Sequence, residues 1–208
     1  MNNNAVPDIV VSRLPGYLQV LNQLAKEGKH TVSSNFLADR LGSTAAQIRK
    51  DLSFFGGFGK QGTGYSVYHL IEQLQLILNL DRIWQVVVVG AGDLGRALIR
   101  YQGFANRGIE IALVFDNHPT VVGTQVGAVI VRHVDQMVAD ISRMGIKIAI
   151  LTVPGEEAQS TAEKLVKAGV KAILNYAPVT LKLPADVRAQ QIDPVLQLQR
   201  LMYYLGDN

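Results

Sequence analysis

Residues 86–98 read VVVVGAGDLGRAL, four valines running into a glycine-rich turn and out into a helical pattern. An unbroken apolar run such as 85–89 suits a strand covered on both faces of a parallel sheet. The turn matches G-x-G-x-x-G, with Gly90, Gly92 and Gly95 as the glycines and Ala91, Asp93 and Leu94 between them. Gly90 permits the tight turn, Gly92 lets backbone amides approach a pyrophosphate, and Gly95 lets a helix over 94–106 pack on the strand. The start of that helix favours the anion. A second strand, 110–115, leads into Asp116, 21 residues after Gly95, where an acid can accept hydrogen bonds from the adenine ribose. Asp116 would repel a 2′-phosphate, and Asn117 and His118 supply no arginine to receive one, so NAD(H) is expected over NADP(H). Asp93 fits less well. It puts negative charge in the phosphate turn, where it can face solvent, help to cap the helix or weaken binding.

Working outward toward the C-terminus, strands are expected at 128–131, 147–153, 171–174 and 187–192, with helices at 134–144 and 156–168. The alternation is that of a Rossmann-type α/β sheet. Thr152, Val153 and Pro154, and Asn175, Tyr176 and Ala177, fall at strand ends on the carboxyl edge, where such sheets bind ligands. They are expected to wall the nicotinamide side. The segment 193–208 reads as a final helix, capped by Asp193 and opened by Pro194, with Val195, Leu196, Leu198, Leu201, Met202, Tyr203, Tyr204 and Leu205 on almost every side. One packing surface does not account for so much apolar area. The helix is expected at an interface between two subunits.

Composition sets limits on the chemistry. The 208 residues contain no cysteine, which rules out disulfides, thiolate metal sites and thiol redox chemistry in this chain. The opening MNNNAVPD lacks the pattern of a signal peptide, and no apolar run reaches the ~20 residues that span a bilayer. A cytoplasmic protein without a membrane partner is expected. Residues 1–68 carry seven Lys/Arg against four Asp/Glu, and the remainder carries thirteen of each, so the whole net charge of +3 lies in the head. A basic head on a neutral body fits a polyanionic partner, and it also fits a merely solvated face.

Ser12 is placed to cap a first helix with Pro15 in its first turn and Leu14, Leu18, Leu21 and Leu24 in one stripe. A second helix starts at Ser33 or Ser34, turns Phe36, Leu37 and Leu41 inward and stops at Gly42. After Ser43 comes a third, with Ala45, Ile48, Leu52 and Phe55 inward and Thr44, Gln47, Arg49 and Lys50 outward. Two helices joined by a tight glycine turn, the second showing Gln, Arg and Lys, have the layout of a helix-turn-helix that enters the major groove. GGFGKQGTGYSV (56–67) then reads as a basic hairpin with Lys60, Gln61 and Gly62 near its tip, comparable to the wing of a winged helix. A helical cap with a glycine loop is the plainer alternative. A connecting helix over 69–80 closes the head.

RKDLSFFGGFGKQGTGY (49–65), VVGAGDLGRAL (88–98), FDNHPTVVG (115–123), LTVPGEEAQ (151–159) and ILNYAPVTLKLP (173–184) together resemble the Rex family of redox-sensing transcriptional repressors. The resemblance implies an N-terminal winged helix-turn-helix domain (1–80), a Rossmann-like NAD-binding domain (81–192) and a swapped C-terminal dimerisation helix (193–208). It implies a homodimer that binds double-stranded operator DNA, takes up NAD+ or NADH and releases DNA as NADH rises. Family roles fall on Gly90, Gly92, Gly95 and Asp116 for NAD, on Tyr101 near the nicotinamide, and on Asp193 as an acid of the interdomain switch. The arginine that the family commonly pairs with that acid is Gln19 here. Either a neutral hydrogen bond replaces the ion pair, or nearby Arg13, otherwise a candidate for DNA contact, substitutes.

Two rivals stand beside this reading. An NAD-dependent dehydrogenase would need a substrate domain with an acid/base pair, and 82–208 holds only a nucleotide fold and a terminal helix. His30, His69, His118 and His133 lie at surface or helix-end positions of the pattern. No catalytic residue and no metal site is expected, and a CoA-binding module on a related fold is the second rival.

Overall fold

Pro7, Pro15 and a run of leucines shape the start of the chain. A computed structural model describes residues 6–56, 58–60 and 64–205, and the chain divides into two units, one ending at Arg82 and the other starting at Ile83. In the first unit a single turn, α1 (Asp8–Val11), precedes α2 (Leu14–Lys26), and the Ser12 hydroxyl donates back to the Ile9 carbonyl. Ser12 thus closes α1 and does not cap α2, whose N-cap is Arg13. Strand β1 (Thr31–Val32) leads to α3 (Ser34–Leu41), capped by the Ser33 hydroxyl and closed by Gly42 in the left-handed conformation. Phe36 does not turn inward. It lies on the outer side of α3 under the Arg40 guanidinium, 5.2 Å from the ring centre, while Leu37 and Ala38 take the core.

Helix α4 (Ala45–Ser53) starts at Thr44, whose hydroxyl accepts from the Gln47 amide, and buries Ile48, Asp51 and Leu52. Strands β2 (Gly59–Lys60) and β3 (Gly64–Ser66) pair antiparallel, and β1 adds to β3, giving a three-stranded sheet in the order β1-β3-β2. Gln61 and Gly62 lie outside the described residues. Ser66 caps α5 (Val67–Ile77), which begins two positions before the expected start. Leu14, Tyr17, Leu21, Leu24, Leu37, Ile48, Leu70 and Leu74 close one core between these helices. Each such side chain contributes about 1.5–3 kcal/mol on burial.

The second unit opens with β4 (Trp84–Val89), and its four valines explain themselves by alternation. Val86 and Val88 face one apolar cluster and Val87 and Val89 the other, because both faces of the strand are covered. Helix α6 (Asp93–Ile99) follows the glycine turn. The helix expected over 94–106 is interrupted: Tyr101 turns extended (ψ 107°), lays its ring on Phe104 edge-to-face, and α7 (Gln102–Ala105) starts anew. Then come β5 (Ile109–Asp116), a hairpin of β6 (Gln125–Val126) and β7 (Val129–His133), and a 3-10 turn into α8 (Met137–Met144). Strand β8 (Ile148–Leu151), α9 (Gly155–Lys167), β9 (Ala172–Asn175), β10 (Arg188–Gln191) and α10 (Pro194–Tyr203) complete the unit.

The sheet runs β10-β9-β8-β4-β5-β7-β6, parallel throughout except for β6 against β7. From β4 the chain first builds outward through β5 and β7, then crosses to β8 and builds the other way. That reversal opens a crevice at the carboxyl ends of β4 and β8.

Candidate functional site

The crevice is held open by glycines and pinned by two polar side chains. Gly90 has φ +98°, and a Cβ there would sit 2.6 Å from the Thr152 carbonyl oxygen. A Cβ on Gly95 would overlap the Gly90 carbonyl oxygen. Around Gly92 nothing lies within 4 Å of where a Cβ would be, so its backbone faces open space. These are the three roles the fingerprint requires: turn, close packing and ligand approach. Thr152 ties the two strand ends together, its amide donating to Val89 O and its hydroxyl to Gly90 O at 2.8 Å.

Asp116 secures the turn from the other side. Its carboxylate accepts from the Ala91 amide at 2.6 Å and from the His118 amide at 2.8 Å, while Arg96 Nε donates to the Ala91 carbonyl at 2.8 Å. A carboxylate offers about four acceptor sites, so lone pairs remain for the hydroxyls of a ribose. Asp93 is exposed at the start of α6 and makes no capping bond through its side chain.

A cavity of about 730 Å³ extends from this turn. Gly90, Gly92, Asp93, Leu94, Asp116, Asn117, Thr152, Val153, Pro154 and Tyr176 line it, so ten of the residues singled out for cofactor binding meet at one place. Ala91 and Gly95 lie buried in the turn beneath it. Asn175 and Ala177 do not line it. Asn175 is buried with both amide hydrogens engaged, donating to Val179 O and Gln191 Oε1 and accepting from the Ala177 amide, so it shapes the loop that carries Tyr176. Tyr101 is 55 % exposed at the α6–α7 corner and is absent from the cavity lining. Asp193 caps α10 by accepting from the Val195 amide.

In the first unit, three of the four side chains expected to face outward at α4 do so, whereas Gln47 turns its amide to the buried Asp51. Thr44, Arg49 and Lys50 are exposed and Ser43 and Gln47 half-buried. Arg49 Nη1 donates to the Ser34 hydroxyl at 3.0 Å. Lys60 lies on β2, and Gln19 is exposed on α2. Arg13 is not free: Nε and Nη2 donate to the two oxygens of fully buried Asp51 at 2.6 and 2.7 Å. Tyr17 Oη and Gln47 Nε2 donate to the same carboxylate. Burial works to raise the Asp51 carboxyl, but the bonds from Arg13, Tyr17 and Gln47 outweigh it and hold the group below its ordinary value. Burial, with the adjacent carboxylate, pushes the Tyr17 hydroxyl up to about 12.

Residues 5–53 match the model of a putative DNA-binding protein N-terminus, and residues 81–179 that of a CoA binding domain. The redox-sensing transcriptional repressor Rex of Chloroflexus aggregans is 48 % identical over 96 % of this chain and 94 % of its own length. The Rex of Streptomyces griseus is 40 % identical over 97 % of this chain and 80 % of its own. The chain belongs to the Rex family. Among solved structures, the Rex-family repressor RSP in complex with β-NAD+ and operator DNA superposes with a TM-score of 0.92 at 39 % identity, covering 98 % of this chain and 94 % of that one. RSP in complex with β-NADH gives 0.90 at 37 % identity, covering 98 % and 95 %.

Sequence reasoning toward a Rex repressor missed two sets of residues. Glu157, Ser160, Thr161 and Lys164 of α9 line the cavity, together with Val121, Val134 and Met137. Their signal was present as a polar stripe at i, i+3, i+4 and i+7 flanking the buried Ala158, Ala162 and Leu165. Asp51 was the other omission. A carboxylate beside Leu52 on the core side of an amphipathic helix calls for a buried partner.

Proposed function

We propose that this chain is a redox-sensing transcriptional repressor that binds double-stranded operator DNA as a homodimer in the cytoplasm and leaves the DNA when NADH binds. The observation that carries the reading is the joining of a helix-turn-helix unit to a dinucleotide crevice in one chain, over a length that its Rex relatives share almost throughout. The residues of the crevice fit NAD(H): a pyrophosphate has the open backbone at Gly92, an adenine ribose has Asp116 and Asn117, and the nicotinamide side has Thr152, Val153, Pro154 and Tyr176. CoA carries a phosphate on its ribose, which the Asp116 carboxylate repels, so the domain description does not transfer as a ligand.

On the DNA side, Gln47 and Lys50 of α4 meet base edges, and Arg49, Thr44 and Ser43 meet the backbone, with Lys60, Gln61 and Gly62 as further candidates for DNA contact. Arg13, held by Asp51, supports the helix from behind. The apolar side chains of α10 are 54–69 % exposed in a single chain, and a second copy of the chain covers them. NADH and NAD+ differ in the charge and pucker of the nicotinamide ring, so only groups near that ring can favour one over the other. Effector binding then shifts the DNA-competent state by its differential affinity alone. No helix among the described residues is long and apolar enough to cross a membrane. A mobility-shift assay on DNA upstream of fermentation or respiration genes tests the reading: the shifted band is expected without NADH and lost with it, and a band unaffected by NADH contradicts the coupling.

A further inference from the structure

We propose that Asp51 is a positioning residue for sequence recognition, fixing the Gln47 amide so that α4 selects an exocyclic amino group over an exocyclic carbonyl at one base pair of each half-site. The inference rests on the reading of α4 as the helix that meets DNA.

Asp51 is fully buried and lies one turn after Gln47, and Gln47 Nε2 reaches its Oδ1 at 2.6 Å. A carboxylate can only accept, so the end of the amide facing Asp51 is the NH2 group, and the carbonyl oxygen Oε1 is held on the other arm. The carboxylate is itself immobilised. Arg13 grips both oxygens and Tyr17 donates to one of them, from positions 38 and 34 residues earlier in the chain. The ion pair with Arg13 keeps Asp51 charged, so it offers Gln47 acceptors only and the amide has no reason to flip. A free glutamine is different. It rotates about its last bond and can present either a donor or an acceptor to the groove.

The tethered amide leaves Oε1 and one N–H for a partner. In the major groove, adenine presents an N6 amine beside the N7 acceptor, and cytosine presents an N4 amine, whereas guanine O6 and thymine O4 are acceptors. Oε1 accepts from the first pair and meets the second with like lone pairs, while the remaining N–H is placed for an adjacent acceptor such as purine N7, which a transition leaves unchanged. Replacing Asp51 by asparagine removes this one-sidedness, because an Asn amide can either donate to Gln47 or accept from it.

The test takes a duplex selected from a randomised library by the full chain and changes each base pair in turn by transition, which swaps amine for carbonyl on both strands. Wild type is expected to show at least one position per half-site where a transition costs about tenfold or more. Gln47→Ala is expected to flatten the preference at one of these, and Asp51→Asn to flatten it several-fold at the same position while leaving the ratios elsewhere unchanged. The double variant is expected to go no further than Gln47→Ala. Should Asp51→Asn not fold, Asp51→Glu keeps the charge, displaces the oxygens, and is expected to alter that same ratio. A merely structural Asp51 would weaken all duplexes by one common factor, and that result overturns the proposal, as does a Gln47→Ala variant with every ratio intact. Wild type binding all duplexes alike would instead remove the reading of α4 itself.

Discussion

The backbone amide of Ala91 donates to the Asp116 carboxylate at 2.6 Å, a bond that joins the glycine turn after β4 to the end of β5. The acid assigned to the ribose therefore also holds the phosphate turn in place. The two tasks use different lone pairs of one group.

From this double role, Asp116→Ala is expected to weaken NADH and NAD+ by the same factor, losing both the ribose acceptor and the order of the turn. The combined cost is about 3–6 kcal/mol, taking roughly 1.5–3 for each bond to a charged acceptor. Calorimetric titration with each form checks it. A changed ratio of the two affinities would place Asp116 near the nicotinamide.

The buried network of the first unit has a signature at high pH. The Tyr17 hydroxyl has an ordinary value of 10.0 and about 12 in the folded unit. A group whose folded value is raised stabilises the fold below its unfolded value and loses that contribution as pH climbs through the folded one. Stability is thus expected to fall by on the order of 2–3 kcal/mol between about pH 10 and 12. Tyr17→Phe should abolish that part of the decline in urea unfolding monitored across the range. An identical decline in the variant would assign it to other groups.

Much of this was legible in the sequence, for physical reasons. The crevice depends on features close together along the chain: a two-face apolar strand, glycines at fixed spacing and an acid ending the next strand. The caps at Ser33 and Asp193 and the stop at Gly42 are likewise local. The Arg13–Asp51 pair was not legible, since 38 residues separate its members and only the tertiary fold of the first unit brings them together. Phe36 misled because hydrophobicity alone does not distinguish a core position from a cation-covered surface one. The break at Tyr101 was hidden for a similar reason: the ring contact with Phe104 that accompanies it has no periodic signal.

Helix α10 gives a third expectation. A chain ending at Gln191 lacks the helix and its exposed apolar side chains, and should sediment as a monomer where the full chain sediments as a dimer. A truncated chain that remained a stable dimer would move the interface elsewhere.

The coupling between NADH in the crevice and operator DNA is reciprocal. If NADH weakens DNA binding by some factor, saturating operator must weaken NADH binding by the same factor, for typical couplings about 1–3 kcal/mol. The decisive measurement is therefore a calorimetric titration of the full chain with NADH, once alone and once saturated with the operator duplex it selects. An NADH affinity roughly 5- to 150-fold lower on DNA is the expected result. Equal affinities in the two titrations would contradict it.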